Sequence, residues 1–265
     1  MTGRQYGVRE PMPGVVYPPR EDLQRYVDAG AFTAETLIGA FRDSFRRHSS
    51  RIALNGPDGP MTYREMDERS DRLAAALLGL GVKPLERALF QMQNSVELVI
   101  AVFACLKVGV IPVCTLTGHR EHEIGELGRR AAAAVHFVQG DDPKFDFPAF
   151  ALKMSGEVSS MRHVVVAGGK PVQGTLAMES LIDSVDPDSA RAAVDDVVAA
   201  LDPFQIAVFQ LSGARNAAGE GFLRPASFRH PRDRVTEGVL RFHRGRTQGL
   251  GSGDPQCEGA VGLTV

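Results

Sequence analysis

The run Ile206-Ala207-Val208-Phe209-Gln210-Leu211 passes straight into Ser212-Gly213. A buried strand that ends in small residues is how many phosphate-cradling loops begin, because small side chains let backbone N–H groups approach phosphate oxygens. Ser212 and Gly213 are the candidate phosphate-binding residues, and an ordinary strand-end turn is the alternative that the run by itself leaves open. Three other groupings invite a chemical reading. His119 and His122 stand three apart with Glu123 and Glu126 beside them, as a metal pair could. The spacing is not His-Glu-x-x-His, however, and the polar surface of a helix accounts for it, so no metal is expected. Gly168-Gly169-Lys170 looks like the end of a Walker loop but lacks the glycine six positions before the lysine, and Pro171 follows. Cys105 and Cys114 lie in apolar contexts with no base beside them and read as buried, inert thiols.

The elements that must position these residues alternate. Thr33 can cap a helix whose Leu37, Ile38, Phe41 and Phe45 share one face. Residues 51–54 and 60–63 flank the turn-rich Gly56-Pro57-Asp58-Gly59 and read as a hairpin. Thr62 with Glu65 forms a capping box, and Met66, Ser70, Leu73, Ala74, Leu77 and Leu78 mark a helix stripe that stops at Gly81. Residues 88–92 form a short strand, Asn94 or Ser95 caps a helix over 96–107, and residues 110–116 run extended through Pro112. A polar helix over 119–132, a strand over 134–138, a helix over 147–154 and a strand over 163–167 follow. Residues 178–185 are weakly helical, 186–202 read as an acidic, Ala-rich connector, and 206–211 as a last strand. Alternation of this kind predicts an α/β fold with a mainly parallel sheet and flanking helices.

Composition bounds the remaining possibilities. The 265 residues are 43% hydrophobic and 23% charged, enough to bury one large core. A net charge of −2 gives no overall footprint for nucleic acid or an anionic membrane. The N-terminus carries charges and prolines rather than an apolar run, and no stretch of membrane-spanning length is free of charge, so neither secretion nor a membrane span is expected. The three cysteines, Cys105, Cys114 and Cys257, lack paired spacing, which fits a cytoplasmic location better than a disulfide framework or structural zinc. Residues 1–213 hold 22 Lys+Arg against 27 Asp+Glu, whereas 214–265 hold 8 against 5. That second part has eight Arg, nine Gly and no Lys, follows neither the helical nor the strand period, and is expected to be a disordered tail. Its arginines could meet RNA, but only Phe222, Phe228 and Phe242 accompany them as stacking platforms, and no nucleic-acid role is expected. Residues 1–14 are expected to be a flexible N-terminus.

Three partial motifs point to a family. Met61-Thr62-Tyr63-Arg64-Glu65-Met66 resembles the first core motif of the adenylate-forming, or acyl-AMP synthetase, superfamily. Leu106-Lys107-Val108-Gly109-Val110-Ile111-Pro112-Val113 resembles the second, and residues 209–213 look like the opening of the third, the phosphate loop. Residues 115–120 with Glu123-Ile124 resemble the Leu-Pro-x-His-Arg…Glu-Ile stretch of the aryl-acid AMP ligases. Phe145-Asp146-Phe147, Val164-Val165-Val166-Ala167-Gly168 and the opening Tyr17-Pro18-Pro19…Gly30-Ala31-Phe32 also look like that subgroup. The resemblance covers about residues 15–213 and departs mildly at Val108 and at Thr117-Gly118. Within it, His119-Arg120 reads as a structural helix start.

The resemblance implies the N-terminal domain of an enzyme that uses ATP and magnesium. Its members activate 2,3-dihydroxybenzoate or salicylate to the acyl-AMP for siderophore assembly, then pass the acyl group to a carrier-protein thiol or CoA. A member would continue past Gly213 with Gly-(Ser/Thr)-Thr-Gly-x-Pro-Lys. Here Ala214-Arg215-Asn216-Ala217-Ala218-Gly219-Glu220 stands instead. The acyl-pocket motif, the adenine and ribose motifs, the hinge and the small C-terminal domain with its lysine do not follow. The expectation is an incomplete domain with no catalytic residue, binding no ATP or magnesium, its abrupt junction suggesting out-of-frame reading of GC-rich DNA. A non-catalytic interaction module that associates through unpaired sheet edges, and a fatty-acid or acyl-CoA synthetase relative, are the alternatives.

Overall fold

The computed structural model describes residues 7–215, 221–226 and 240–241. Helix α1 (Arg20–Asp28) buries Leu23, and among the described residues no side chain caps it. Helix α2 (Leu37–Arg47) is capped by Thr36, whose Oγ1 accepts the Gly39 N–H at 3.0 Å. The expected cap, Thr33, stands too far upstream, since a cap must sit directly before the first helical residue. Strands β1 (Ile52–Gly56) and β2 (Gly59–Thr62) form the expected antiparallel hairpin. Helix α3 (Tyr63–Gly79) starts on the full capping box, with Thr62 Oγ1 accepting the Glu65 N–H and Glu65 Oε2 accepting the Thr62 N–H.

Strand β3 (Arg87–Gln91), helix α4 (Val96–Lys107) capped by Ser95, and strand β4 (Ile111–Cys114) make the strand-helix-strand unit. Helix α5 (Glu121–Ala131) starts two residues later than expected, leaving His119 outside it. Strand β5 (Ala133–Gln139), helix α6 (Phe147–Glu157), strand β6 (His163–Ala167), strand β7 (Leu176–Ala177) and helix α7 (Met178–Asp183) continue the alternation. The stretch read as a connector is instead helix α8 (Pro187–Ala200). Asp186 caps it by accepting the Ser189 N–H, Pro187 suits its first turn, and Ala190 and Val194 are its buried face. Strands β8 (Val208–Arg215), β9 (Gly221–Ala226) and β10 (Leu240–Arg241) complete the described chain. The rest of the stretch expected to be a disordered tail, with Phe228, Phe242 and Cys257, lies outside the described residues, as do residues 1–6 of the expected flexible N-terminus. Arg9 and Glu10 are held to the connector before β8, by Arg9 N–H to Asp202 Oδ2 at 2.6 Å and Gln205 Nε2 to the Glu10 carbonyl at 2.8 Å.

The main sheet has the order β7-β6-β5-β3-β4-β8-β9, parallel except for β9, and β10-β1-β2 form a second small sheet. Residues of β3 alternate between two cores. Ala88 and Phe90 meet α3, α4, α7 and α8 on one face, whereas Leu89 meets α5 and α6 on the other. Pro112 is tolerated inside the sheet because β4 pairs with β8 only from Val113 onward, so its missing N–H interrupts no bond there. All the parallel strands deliver their carboxyl ends to one edge, where ligands of open α/β sheets bind.

Candidate functional site

The first two motifs meet through a buried ionic cluster. Lys107, at the last turn of α4, is 0% exposed. Its Nζ lies 2.6 Å from Asp67 Oδ1, 2.6 Å from Asp71 Oδ1, 2.8 Å from Ser70 Oγ and 2.7 Å from the Asp67 carbonyl. From α8, Arg191 Nη2 donates to Asp67 Oδ2 at 3.0 Å and its Nε pairs with Asp71 Oδ2 at 2.7 Å. Two cations thus face two carboxylates, the arrangement that buried charges require. Desolvation pulls both carboxyls upward. At Asp67 the charges of Lys107 and Arg191 outweigh it and the carboxyl lies below the ordinary range, whereas at Asp71 desolvation prevails and the carboxyl lies above it. The motif lysine is therefore a structural pin that joins α3, α4 and α8. Sequence reasoning missed this cluster, although Asp67 and Asp71 at i, i+4 beside the apolar stripe were a visible signal.

The carboxyl edge of the sheet is built from amides. Gln91 at the end of β3 is buried and donates Nε2 to the His119 carbonyl at 2.8 Å. Gln139 at the end of β5 accepts the Gln93 N–H at 2.7 Å and donates to Asp142 at 3.1 Å. Asp142 also accepts the N–H groups of Lys144 and Phe145. Thr115, just past β4, donates to the Phe90 carbonyl at 2.8 Å. These bonds lash the three loops together, so the edge is a rigid rim.

His119 and Arg120 belong to this rim. His119 Nδ1 accepts the Leu116 N–H at 3.3 Å, and desolvation holds its pKa below the usual histidine value, so it acts as a neutral acceptor. Arg120 donates to the carbonyls of Thr117 and His119 and lies 4.0 Å over the Phe145 ring. Glu123 takes the Arg120 N–H, and Glu126 pairs with Arg129 and Arg130. His119, His122, Glu123 and Glu126 do not converge, and among the described residues no group of three or more His, Cys, Asp or Glu gathers as metal ligands. Gly168 and Gly169 adopt φ +67° and +61°, and a Cβ at Gly169 would stand 2.2 Å from the Gly140 carbonyl oxygen. That pair closes a tight turn against β5 rather than cradling phosphate. Cys105 is fully buried, and burial pushes the thiols of Cys105 and Cys114 upward.

Ser212 and Gly213 lie in β8 beyond its pairing with β4, which ends at Cys114↔Gln210. Across the hairpin Leu211 pairs with Leu223 and Arg215 with Gly221, so residues 212–214 oppose residue 222 alone. The two candidate residues therefore stand in a bulged strand at the carboxyl edge. The sequence pattern could not anticipate this, because β9 comes from residues past the resemblance.

A family model described as AMP-binding enzyme matches residues 41–213, ending at the residue where the loop sequence departs. Triostin synthetase I of Streptomyces triostinicus is 35% identical over 201 residues, 76% of this chain and 35% of that protein. The salicyl-AMP ligase/salicyl-S-ArCP synthetase of Mycobacterium tuberculosis is 36% identical over 160 residues, 58% of this chain and 28% of that protein. Among solved structures, apo MbtA of Mycobacterium smegmatis superposes with TM-score 0.68 at 28% identity, covering 80% of this chain and 37% of that one. The chain spans about a third of the length of these relatives.

Proposed function

The chain belongs to the AMP-binding enzyme family, and on that premise we propose that it carries the sheet frame of an aryl-acid AMP ligase without a working nucleotide site. In the parent reaction an aryl carboxylate oxygen attacks the α-phosphorus of ATP, pyrophosphate leaves, and a carrier-protein or CoA thiol then displaces AMP from the acyl carbon. Magnesium would offset phosphate charge. The observation that carries the reading is the loop: the family match stops at Gly213, and the next seven residues, Ala214-Arg215-Asn216-Ala217-Ala218-Gly219-Glu220, hold neither the glycine-and-hydroxyl run nor a lysine. Stabilising a transferring phosphoryl region needs positioned donors and cations. Of the groups at the described edge, Arg120 is spent on two carbonyls and a ring, and Asp142 on neighbouring N–H groups. These residues do not fit a triphosphate or its magnesium.

Ser212 and Gly213 are read as what is left of the phosphate loop. The relatives' names support salicylate or dihydroxybenzoate as the parent's substrate class. Free thiols at the buried Cys105 and the half-buried Cys114 support a reducing, cytoplasmic setting, and among the described residues no helix is long and apolar enough to cross a membrane. ATP–pyrophosphate exchange tests the reading. With salicylate or 2,3-dihydroxybenzoate, the purified chain is expected to exchange no faster than a protein-free control, and acid-dependent exchange above that control contradicts it.

A further inference from the structure

A cavity of about 370 Å³ opens at the amino ends of β3, β4 and β8, at the other end of the sheet from Ser212 and Gly213. Its walls are apolar, formed by Leu23 of α1, Ile38 of α2, Leu106 and Val110 around the α4–β4 turn, and Leu201 and Ile206 of the connector before β8. The volume falls at the lower end of the range that holds small ligands, and apolar walls of this kind hold water poorly.

Four charged residues also line it: Arg9, Glu10, Glu35 and Asp202. Arg9 and Asp202 satisfy each other. The Arg9 N–H meets Asp202 Oδ2 at 2.6 Å, its guanidinium donates to the Ala200 carbonyl at 2.9 Å, and Asp202 Oδ1 takes the Phe204 N–H at 2.9 Å. The carboxylates of Glu10 and Glu35 are exposed and have no hydrogen bond or ion pair among the described residues. The unspent charge at the mouth is thus negative, which repels an aryl carboxylate and attracts an ammonium group.

We propose that this cavity binds a small apolar amine, with its ring or hydrocarbon part against the apolar walls and its ammonium at the Glu10 and Glu35 carboxylates. The site is separate from the nucleotide edge and stands whether or not that edge binds ATP.

Three probes of one size test it by calorimetry on the full chain: tryptamine, 3-ethylindole and indole-3-acetate. Tryptamine is expected to bind saturably, about fivefold or more tighter than the neutral probe, as two exposed carboxylates warrant, with the anion weakest. In the Glu10→Gln/Glu35→Gln double variant, whose side chains make no bonds to lose, tryptamine is expected to fall to the affinity of 3-ethylindole. Ala40→Leu, which narrows the cavity from α2, is expected to weaken all three. No saturation by tryptamine at millimolar concentration overturns the proposal. So does indole-3-acetate binding as tightly as tryptamine, or a cation preference that survives in the double variant.

Discussion

His136 sits in the middle of β5, paired in register with Leu89 of β3 and Val164 of β6, and neither of its ring nitrogens has a hydrogen-bond partner among the described residues. Burial pushes its pKa down to about 3, so it is neutral in the fold. The folded value lies below the unfolded one, and on acidification the unfolded chain therefore takes up the proton first. The stability this residue permits is complete above about 6.5 and drains as pH falls from there toward about 3. Replacing it with an apolar group removes both the orphaned nitrogens and that slope. His136→Leu is expected to stabilise the protein by about 1–3 kcal/mol at neutral pH and to flatten the decline of the urea midpoint between pH 6.5 and 4.5. An unchanged slope would mean that the ring reaches water. Nothing in the sequence flags this position, since a lone histidine in Ala133–Gln139 reads like any polar residue of a half-exposed strand until the sheet is seen to be covered on both faces.

At the scale of elements, α3, α4 and α8 are held together by charges as well as by apolar packing. Lys107 is the sealed member of that cluster, whereas the Arg191 side chain is 38% exposed and can be replaced there by water. Lys107→Met leaves Asp67 and Asp71 buried with one partly exposed cation and is expected to cost about 3–5 kcal/mol. Arg191→Met is expected to cost clearly less, and urea unfolding of the two variants measures the difference. Equal costs would show that the two cations share the load. The elements themselves were largely legible, because their signals are local: the Thr62–Glu65 capping box, the Ser95 cap and the continuous apolar run of β6 are all visible in short windows. Helix α8 was not, because its acidic residues and β-branched valines mask the spacing of Ala190 and Val194. The pin between α3 and α4 was hidden for another reason: its partners lie 36 to 40 residues apart in the chain, and only the fold brings them together.

The whole molecule joins its three motifs into one frame. The capping box starts α3, α3 holds Lys107, the turn after Lys107 leads into β4, and β4 pairs with β8 and so delivers Ser212 and Gly213 to the carboxyl edge. The fold class and the position of that edge follow from the alternation of elements in the sequence. The bulge at 212–214 does not, because it depends on pairing with β9. On the proposed reading, the described residues offer no run of donors and no cation where phosphates would lie, and the amide-built rim does not replace them. Titration calorimetry of the purified chain with ATP·Mg²⁺ and a non-hydrolysable salicyl-AMP analogue, with thermal unfolding alongside, tests that claim most directly. The predicted result is a cooperatively unfolding protein that shows no saturable heat at millimolar ligand and an unchanged melting temperature. Saturable binding that raises the melting temperature would contradict it and would mean that residues past Gly213 form a nucleotide site of their own.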